Sequence, residues 1–288
     1  MSSAFFEARI PGKWVLTGEH AVLQGMTAVA LPHPSFFLTL RFKPKSGQKL
    51  KVMPAEVESE ILELIRAIAD SREEQNFSEP EGELDILSSI PLGAGLGSSA
   101  ALCVAITQWL SPTLKIKPED FFEFATQLEH RFHGKSSGMD VAVILANEPV
   151  SFVRGRGAIP LGIKRIPKFT FHDTGLRART SDCVIKVESF REENRTLALK
   201  VDEAMGQASR LSMEGLFAFD SGEVKTGLEL LAKAMKQAQE CFYTWELVPG
   251  EAKRIQDQLY RQGALGVKLT GAGGGGMLVA LWPDQPPK

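Results

Sequence analysis

Two glycine-dense segments and a handful of ionisable side chains are where this sequence could do chemistry. The first segment is Pro91-Leu92-Gly93-Ala94-Gly95-Leu96-Gly97-Ser98-Ser99. Glycines at alternate positions let the backbone take positive φ and come close to a ligand. A short β-like run (Glu83 to Leu87) precedes the segment and an apolar helical run begins at Ala100. The helix N-terminus therefore turns its unpaired N–H groups and its dipole toward whatever the loop holds. That arrangement suits a polyphosphate, and Ser98 and Ser99 can cap the helix or offer a hydroxyl to a metal ion. The P-loop pattern is excluded because no lysine follows the glycines, and the dinucleotide fingerprint because Ser98 stands where a third glycine is required. A plain strand-to-helix turn with serine caps is the other reading.

The second segment, Gly271-Ala272-Gly273-Gly274-Gly275-Gly276, formally contains GxGxxG. It runs into Met277-Leu278-Val279-Ala280-Leu281, which is β-like, whereas a dinucleotide loop must open a helix. A run this rich in glycine costs conformational entropy, so close backbone approach to a ligand or another loop explains it better than a simple turn. Among ionisable residues, Lys13, Glu19 and His20 sit in an apolar β-rich stretch, where strand-edge or turn charges are the plain alternative. Asp140 follows the loop Gly134-Lys135-Ser136-Ser137-Gly138 and reads as a presented carboxylate or as a helix cap. Glu129 shares a helical face with Phe122, Ala125 and His133. It is either a buried carboxylate that needs a cation or one half of a surface Glu–His pair.

The elements that must position these residues follow from the hydrophobic pattern. The first forty residues predict short strands (Phe6 to Ile10, Trp14 to Leu16, Thr27 to Leu31, Phe36 to Phe42) separated by turns at Pro11-Gly12, Gln24-Gly25 and Pro32-His33-Pro34. Ile61, Leu64, Ile65 and Ile68 predict a helix opened by Pro54. Residues 71–82 read as a loop. A helix from Ala100 should stop at Ser111-Pro112, and another from Pro118 to His133 should meet Gly134 at its C-terminal cap. Phe152-Val153 and Phe169 to His172 read as strands, and Glu192 to Phe219, Ser221 to Tyr243 and Glu251 to Gln262 as helices. Gly266 to Leu269 and Met277 to Trp282 complete the pattern as strands. The Gly-, Pro- and basic-rich stretch 155–168 suggests a boundary, giving domains 1–160 and 161–288 of mixed α+β type.

Whole-chain properties exclude other classes. With 288 residues, 43% hydrophobic and 24% charged, the chain reads as globular. Its 33 basic and 35 acidic residues leave a net charge of -2, which gives no support to nucleic-acid binding. Cys103, Cys183 and Cys241 form no CxxC pair and read as small core residues rather than zinc ligands or disulfides. No basic leader followed by an apolar run opens the sequence, and no apolar run nears the roughly 20 residues of a membrane span, so a cytoplasmic location is expected.

Taken together and in order, these segments resemble the GHMP kinase family. Ile10-Pro11-Gly12-Lys13 with Leu16-Thr17-Gly18-Glu19-His20-Ala21-Val22 is similar to the family's first motif. Pro91 to Ala101 is similar to the second and Lys268-Leu269-Thr270-Gly271 to Gly276 to the third. The stretch Glu129 to Asp140, and Asp173-Thr174-Gly175 with Thr180, also match. The Gly-Glu-His-Ala-Val string resembles the branch that phosphorylates mevalonate. The resemblance implies a two-domain fold: an N-terminal α/β sandwich with a left-handed βαβ crossover, a C-terminal ferredoxin-like domain, and ATP in the cleft between them.

The resemblance also implies roles. Asp140 would be the general base, and Lys13 beside it would stabilise charge on the transferring phosphoryl group. Glu129 and Ser99 would hold Mg²⁺. Gly93, Ala94, Gly95, Leu96, Gly97 and Ser98 would cradle the phosphates. Glu19 and His20 would orient the mevalonate, with Gly271, Ala272 and Gly273 lining the substrate side. The protein would act as a monomer or homodimer on small molecules, with no nucleic-acid or membrane partner. The chain departs from the pattern at Leu102, where a tyrosine is usual, at Val141 in place of asparagine, and at Asn147-Glu148 in place of a glycine pair. Leu102 removes a hydroxyl donor, which leaves another alcohol or a sugar as an alternative substrate. A silent binding protein on the same fold should lack the base, the lysine or the metal ligand, and here Lys13, Ser99, Glu129 and Asp140 are all present.

Overall fold

The computed structural model describes residues 4–71, 77–133 and 137–283. The chain divides into two compact units. The first comprises the chain up to Lys13, Pro32–Pro91 and Gly97–Asn147; the second comprises Trp14–Leu31, Leu92–Leu96 and the chain from Glu148 onward. Two long strands, β1 (Phe6–Thr17) and β2 (Ala28–Pro44), pair with each other and contribute residues to both units.

In the first unit, β4 (Gly82–Ser88) lies between β3 (Lys51–Met53), which it pairs in parallel, and Leu38–Pro44 of β2, which it pairs antiparallel. The helices are α1 (Glu58–Ser71), α2 (Ser98–Leu114), α3 (Phe121–His133) and α4 (Met139–Ala146). Ile61, Leu64, Ile65 and Ile68 of α1 are buried, as their spacing predicts. Helix α2 is apolar on most of its circumference and forms the centre of the core, with Trp109 against Phe42 of β2 at a ring separation of 4.9 Å.

In the second unit, Ala28–Ala30 of β2 pair antiparallel with β5 (Val150–Val153), which pairs with β6 (Gly157–Pro160). A separate antiparallel sheet has the order β7 (Phe169–Asp173), β9 (Met277–Leu281), β8 (Gly266–Thr270). Helices α5 (Thr180–Glu193), α6 (Arg195–Ser221), α7 (Val224–Thr244) and α8 (Gly250–Arg261) complete it. The core of this unit gathers Met205, Phe242, Trp245, Leu269, Leu278 and Trp282. Gly215 and Gly227 bring the backbones of α6 and α7 together: a Cβ at Gly227 would lie 2.7 Å from Phe219 N and 2.8 Å from Gly215 O.

Several local expectations are corrected. Pro11-Gly12 lies inside β1, and Pro32-His33-Pro34 lies inside β2. The latter residues fall between the stretches of β2 that pair with β5 and with β4, so neither of these two ladders needs an N–H from proline. His33 braces the segment, its Nδ1 accepting N–H bonds from Ser35 and Phe36, both 3.1 Å. Helix α2 continues past Pro112. The Gln108 carbonyl that Pro112 cannot serve accepts a 2.8 Å bond from the Ser111 hydroxyl instead. Helices α4 and α5 were not expected. Gly134 and the His133 ring, read as the cap and partner at the end of α3, lie outside the described residues, as does part of the loop 71–82.

Candidate active site

Lys13 Nζ lies 2.9 Å from Asp140 Oδ2 in the first unit, with side-chain exposures of 5% and 27%. Lys13 comes from β1 and is held by the strand. Asp140 occupies the first turn of α4, where the helix dipole favours a carboxylate. Gly138 sets the angle of that helix. Its φ is +78, and a Cβ there would meet Phe122 Cζ at 2.9 Å. Ser137 accepts the Met139 N–H at 3.2 Å and tightens the same turn.

The end of the first glycine segment packs on this pair. Gly97 is the N-cap of α2 with φ +74, and a Cβ on it would lie 2.9 Å from Lys13 Cγ. Ser98 and Ser99 open α2, so its first N–H groups face out from the helix end beside Lys13. Glu129 on α3 is 3% exposed. Its charge is felt by Cys103, whose thiol is pushed well above its ordinary value by burial first and then by Glu129 and Glu60. Helix α3, which carries Glu129, packs against α2, which Ser98 and Ser99 open.

The second unit brings together the remaining expected residues. Gly95 and Gly271 pack backbone to backbone, a Cβ on Gly271 falling 3.1 Å from Gly95 Cα. A Cβ on Gly276 would lie 3.0 Å from Ala94 O. Gly93, Gly95, Ala178, Thr180, Thr270 and Gly273 are among the residues lining a small recess there. Arg177 ties down the entrance to the loop. It donates to Leu92 O at 3.1 Å and forks onto both oxygens of Asp173 at 2.7 Å, which holds the Asp173 carboxyl below the usual range. The third motif is anchored to β1 through Thr270, whose hydroxyl accepts from Val15 N at 2.8 Å and donates to Val15 O at 2.9 Å.

Glu19 and His20 sit in this unit on the turn after β1. Lys268 Nζ meets Glu19 Oε1 at 2.5 Å, the two side chains being 0% and 3% exposed. Burial pushes the Lys268 amine down, and Glu19 opposes that shift. His20 Nε2 is 2.8 Å from Ala272 O. A carbonyl only accepts, so Nε2 carries the hydrogen. Burial lowers the pKa of His20 to about 4, which keeps the ring neutral at ordinary pH.

The structure thus groups Lys13, Gly97 and Asp140 in one unit, and carries Glu129 in the same unit on the helix packed against α2. It groups Glu19, His20, Gly93 to Leu96 and Gly271 to Gly273 in the other. The sequence reading missed Lys268 as the partner of Glu19 and Arg177 as the anchor of the glycine loop. A lysine inside the wholly buried strand Gly266–Thr270 was the one readable signal, because an amine there needs a partner. Among the described residues no group of three or more His, Cys, Asp and Glu could hold a metal ion by itself.

The family model described as GHMP kinases N terminal domain matches residues 61–148, and that described as GHMP kinases C terminal matches 222–288. A mevalonate kinase of Archaeoglobus fulgidus is 30% identical over 289 residues, covering 98% of this chain and 94% of that protein. One of Aeropyrum pernix is 28% identical over 305 residues, covering 96% and 88%. The crystal structure of the Methanococcus jannaschii mevalonate kinase is similar in fold, with a TM-score of 0.78 at 20% identity over 97% of this chain and 91% of that one.

Proposed function

Since the chain belongs to the GHMP kinase family, we propose that it transfers the γ-phosphoryl group of ATP to the 5-hydroxyl of mevalonate, giving 5-phosphomevalonate and ADP. The observation that carries this reading is the Lys13–Asp140 pair at 2.9 Å with Gly97 packed on the lysine stem. Phosphoryl transfer asks the protein for positioning and electrostatics more than for covalent chemistry. Asp140 accepts the proton of the attacking hydroxyl. The Lys13 ammonium stabilises the charge that develops on the phosphoryl oxygens. Gly93 to Ser98 offer backbone N–H groups to the phosphates, aided by the N-terminus of α2. Glu19 and His20 orient the alcohol, and Gly271, Ala272 and Gly273 line the substrate side.

The donor set also fits a magnesium ion. Magnesium takes hard oxygen ligands, commonly one or two carboxylates, with phosphates and water completing the shell. Glu129, a nearly buried carboxylate, and the Ser99 hydroxyl are such ligands on packed helices, and they would hold Mg²⁺, which would supply neutralisation of phosphate charge.

Leu102 on α2 favours testing a second reading in which the alcohol is not mevalonate. A panel of mevalonate, phosphomevalonate, homoserine and galactose, each with Mg-ATP, separates the two by ADP release. The reading expects mevalonate to be preferred by kcat/KM. Preference for another member of the panel overturns the substrate and leaves the kinase assignment standing.

A further inference from the structure

Four contacts converge on the turn Gly18-Glu19-His20. Gly18 N–H donates to Met205 Sδ at 3.2 Å, Lys268 bonds Glu19, and Ala272 O accepts from the His20 ring. The fourth comes from Arg191, whose Nη2 donates to the backbone carbonyl of His20 at 3.3 Å. That carbonyl belongs to a residue in an unusual conformation. His20 has φ 58 and ψ -47, and Ala21 N–H closes on Glu19 O at 2.6 Å. This is a γ-turn of the rare, strained hand, which persists only where the surroundings hold it.

Arg191 is suited to hold it. It lies on α5 and forks onto Asp202 of α6, through Nε to Oδ2 at 3.1 Å and Nη2 to Oδ1 at 2.7 Å, while Nη1 reaches Glu188 at 2.7 Å. The side chains of Arg191 and Asp202 are 10% and 7% exposed. The fork fixes the plane of the guanidinium, and the remaining Nη2 hydrogen is aimed at His20 O. Helix α6 thereby supports the turn twice, through Asp202 and through Met205. Gly206, one residue further on, leaves room for Met26 at the end of the same segment, its missing Cβ lying 3.1 Å from Met26 Sδ.

We propose that Arg191 and Asp202 are a positioning pair for the alcohol-binding turn. They hold the His20 γ-turn in one geometry and so set the affinity for the alcohol, leaving the transfer step to other residues. The proposal rests on the reading that Glu19 and His20 orient the substrate. A pair that only fastened α5 to α6 would affect melting alone.

The test uses the full chain and the double variant Arg191→Met/Asp202→Leu, because removing both partners of a buried pair is far better tolerated than stranding one charge. Arg191→Lys, which keeps the charge but loses the planar fork, is the second variant and decides the question if the double variant does not fold. Two measurements are made: amide hydrogen exchange at Ala21, the donor of the γ-turn, and steady-state kinetics in mevalonate and in ATP. The expected result is a loss of Ala21 protection and a rise in KM for mevalonate, each about tenfold, the effect of one buried hydrogen bond. KM for ATP and kcat should change by less than about twofold, as for loss of uniform binding to one substrate. Unchanged Ala21 protection in a folded variant overturns the proposal, and so does an unchanged KM for mevalonate. If the unaltered protein does not use mevalonate, the substrate reading has failed, and Ala21 exchange still decides whether the pair holds the turn.

Discussion

A methyl group at position 97 would lie 2.9 Å from Lys13 Cγ and 3.2 Å from Lys13 Cε, on a backbone with φ +74. Glycine at that position therefore lets the end of the glycine loop and the lysine share one place. Gly97→Ala should push the Lys13 ammonium away from Asp140 and lower kcat by about tenfold or more, since misplacement of a reacting group by about an ångström costs up to a hundredfold. Steady-state kinetics check this, with circular dichroism to confirm that the variant folds. At this scale the sequence was informative where a residue type was chemically unusual for its setting. Alternating glycines before a helix, a glycine run before a strand, and Lys13 among apolar neighbours all stood out. Arg191 and Asp202 did not. In the sequence they are helix charges like any others, with Glu188 three residues before Arg191 as for a surface pair, and only the tertiary structure buries them against His20.

At the scale of elements, the α6–α7 contact is the clearest case of packing that dictates a residue. At Gly227 an added Cβ would be 2.7 Å from Phe219 N and 2.8 Å from Gly215 O, both backbone atoms with nowhere to go. Gly227→Ala should destabilise the protein by about 1–3 kcal/mol, because overpacking outweighs the ~1 kcal/mol that alanine gains in a helix. Gly250 at the start of α8 has no atom within 4 Å of its missing Cβ and no positive φ. Gly250→Ala should raise Tm slightly, through the reduced entropy of the unfolded chain. A matched pair of thermal melts reads both. Elements with strong hydrophobic periodicity, such as α1 and α7, were legible from spacing alone. Helix α5 was not, since only Cys183 and Val187 of its fourteen residues are buried and no apolar stripe marks it. The prolines of β2 misled for the opposite reason. Proline signals a break where a ladder needs its N–H, and Pro32 and Pro34 fall outside the stretches paired with β4 and β5.

The whole molecule carries a pH dependence with a defined sign. His20 in one unit and His33 in the other are both lowered to a pKa of about 4, in each case by burial first. The unfolded chain protonates these rings near pH 6.5, so between 6.5 and 4 it binds more protons than the folded chain. Their contribution is present in full above pH 6.5 and is lost as pH falls toward 4, at most about 3 kcal/mol for each ring. Tm should therefore be level from pH 8 to 7 and fall steadily from pH 6.5 to 4. His33→Asn keeps an acceptor for the Ser35 and Phe36 amides without a titrating ring and should flatten part of that slope. A Tm that rises on acidification through this window would contradict the assignment of neutral buried rings. At this scale the family was legible because three motifs occur in order along the chain. Among the described residues no helix is long and apolar enough to cross a membrane.

The proposed reaction has Asp140, held at 2.9 Å from Lys13, take the proton from the mevalonate hydroxyl as phosphate is transferred. Its most direct measurement is single-turnover transfer of labelled γ-phosphate from Mg-ATP to mevalonate by the unaltered protein and by Asp140→Ala. The expected result is 5-phosphomevalonate from the unaltered protein and a rate lower by about 10²–10⁴ in the variant, the range for a general base, with nucleotide binding retained. Transfer at an undiminished rate by folded Asp140→Ala would contradict it.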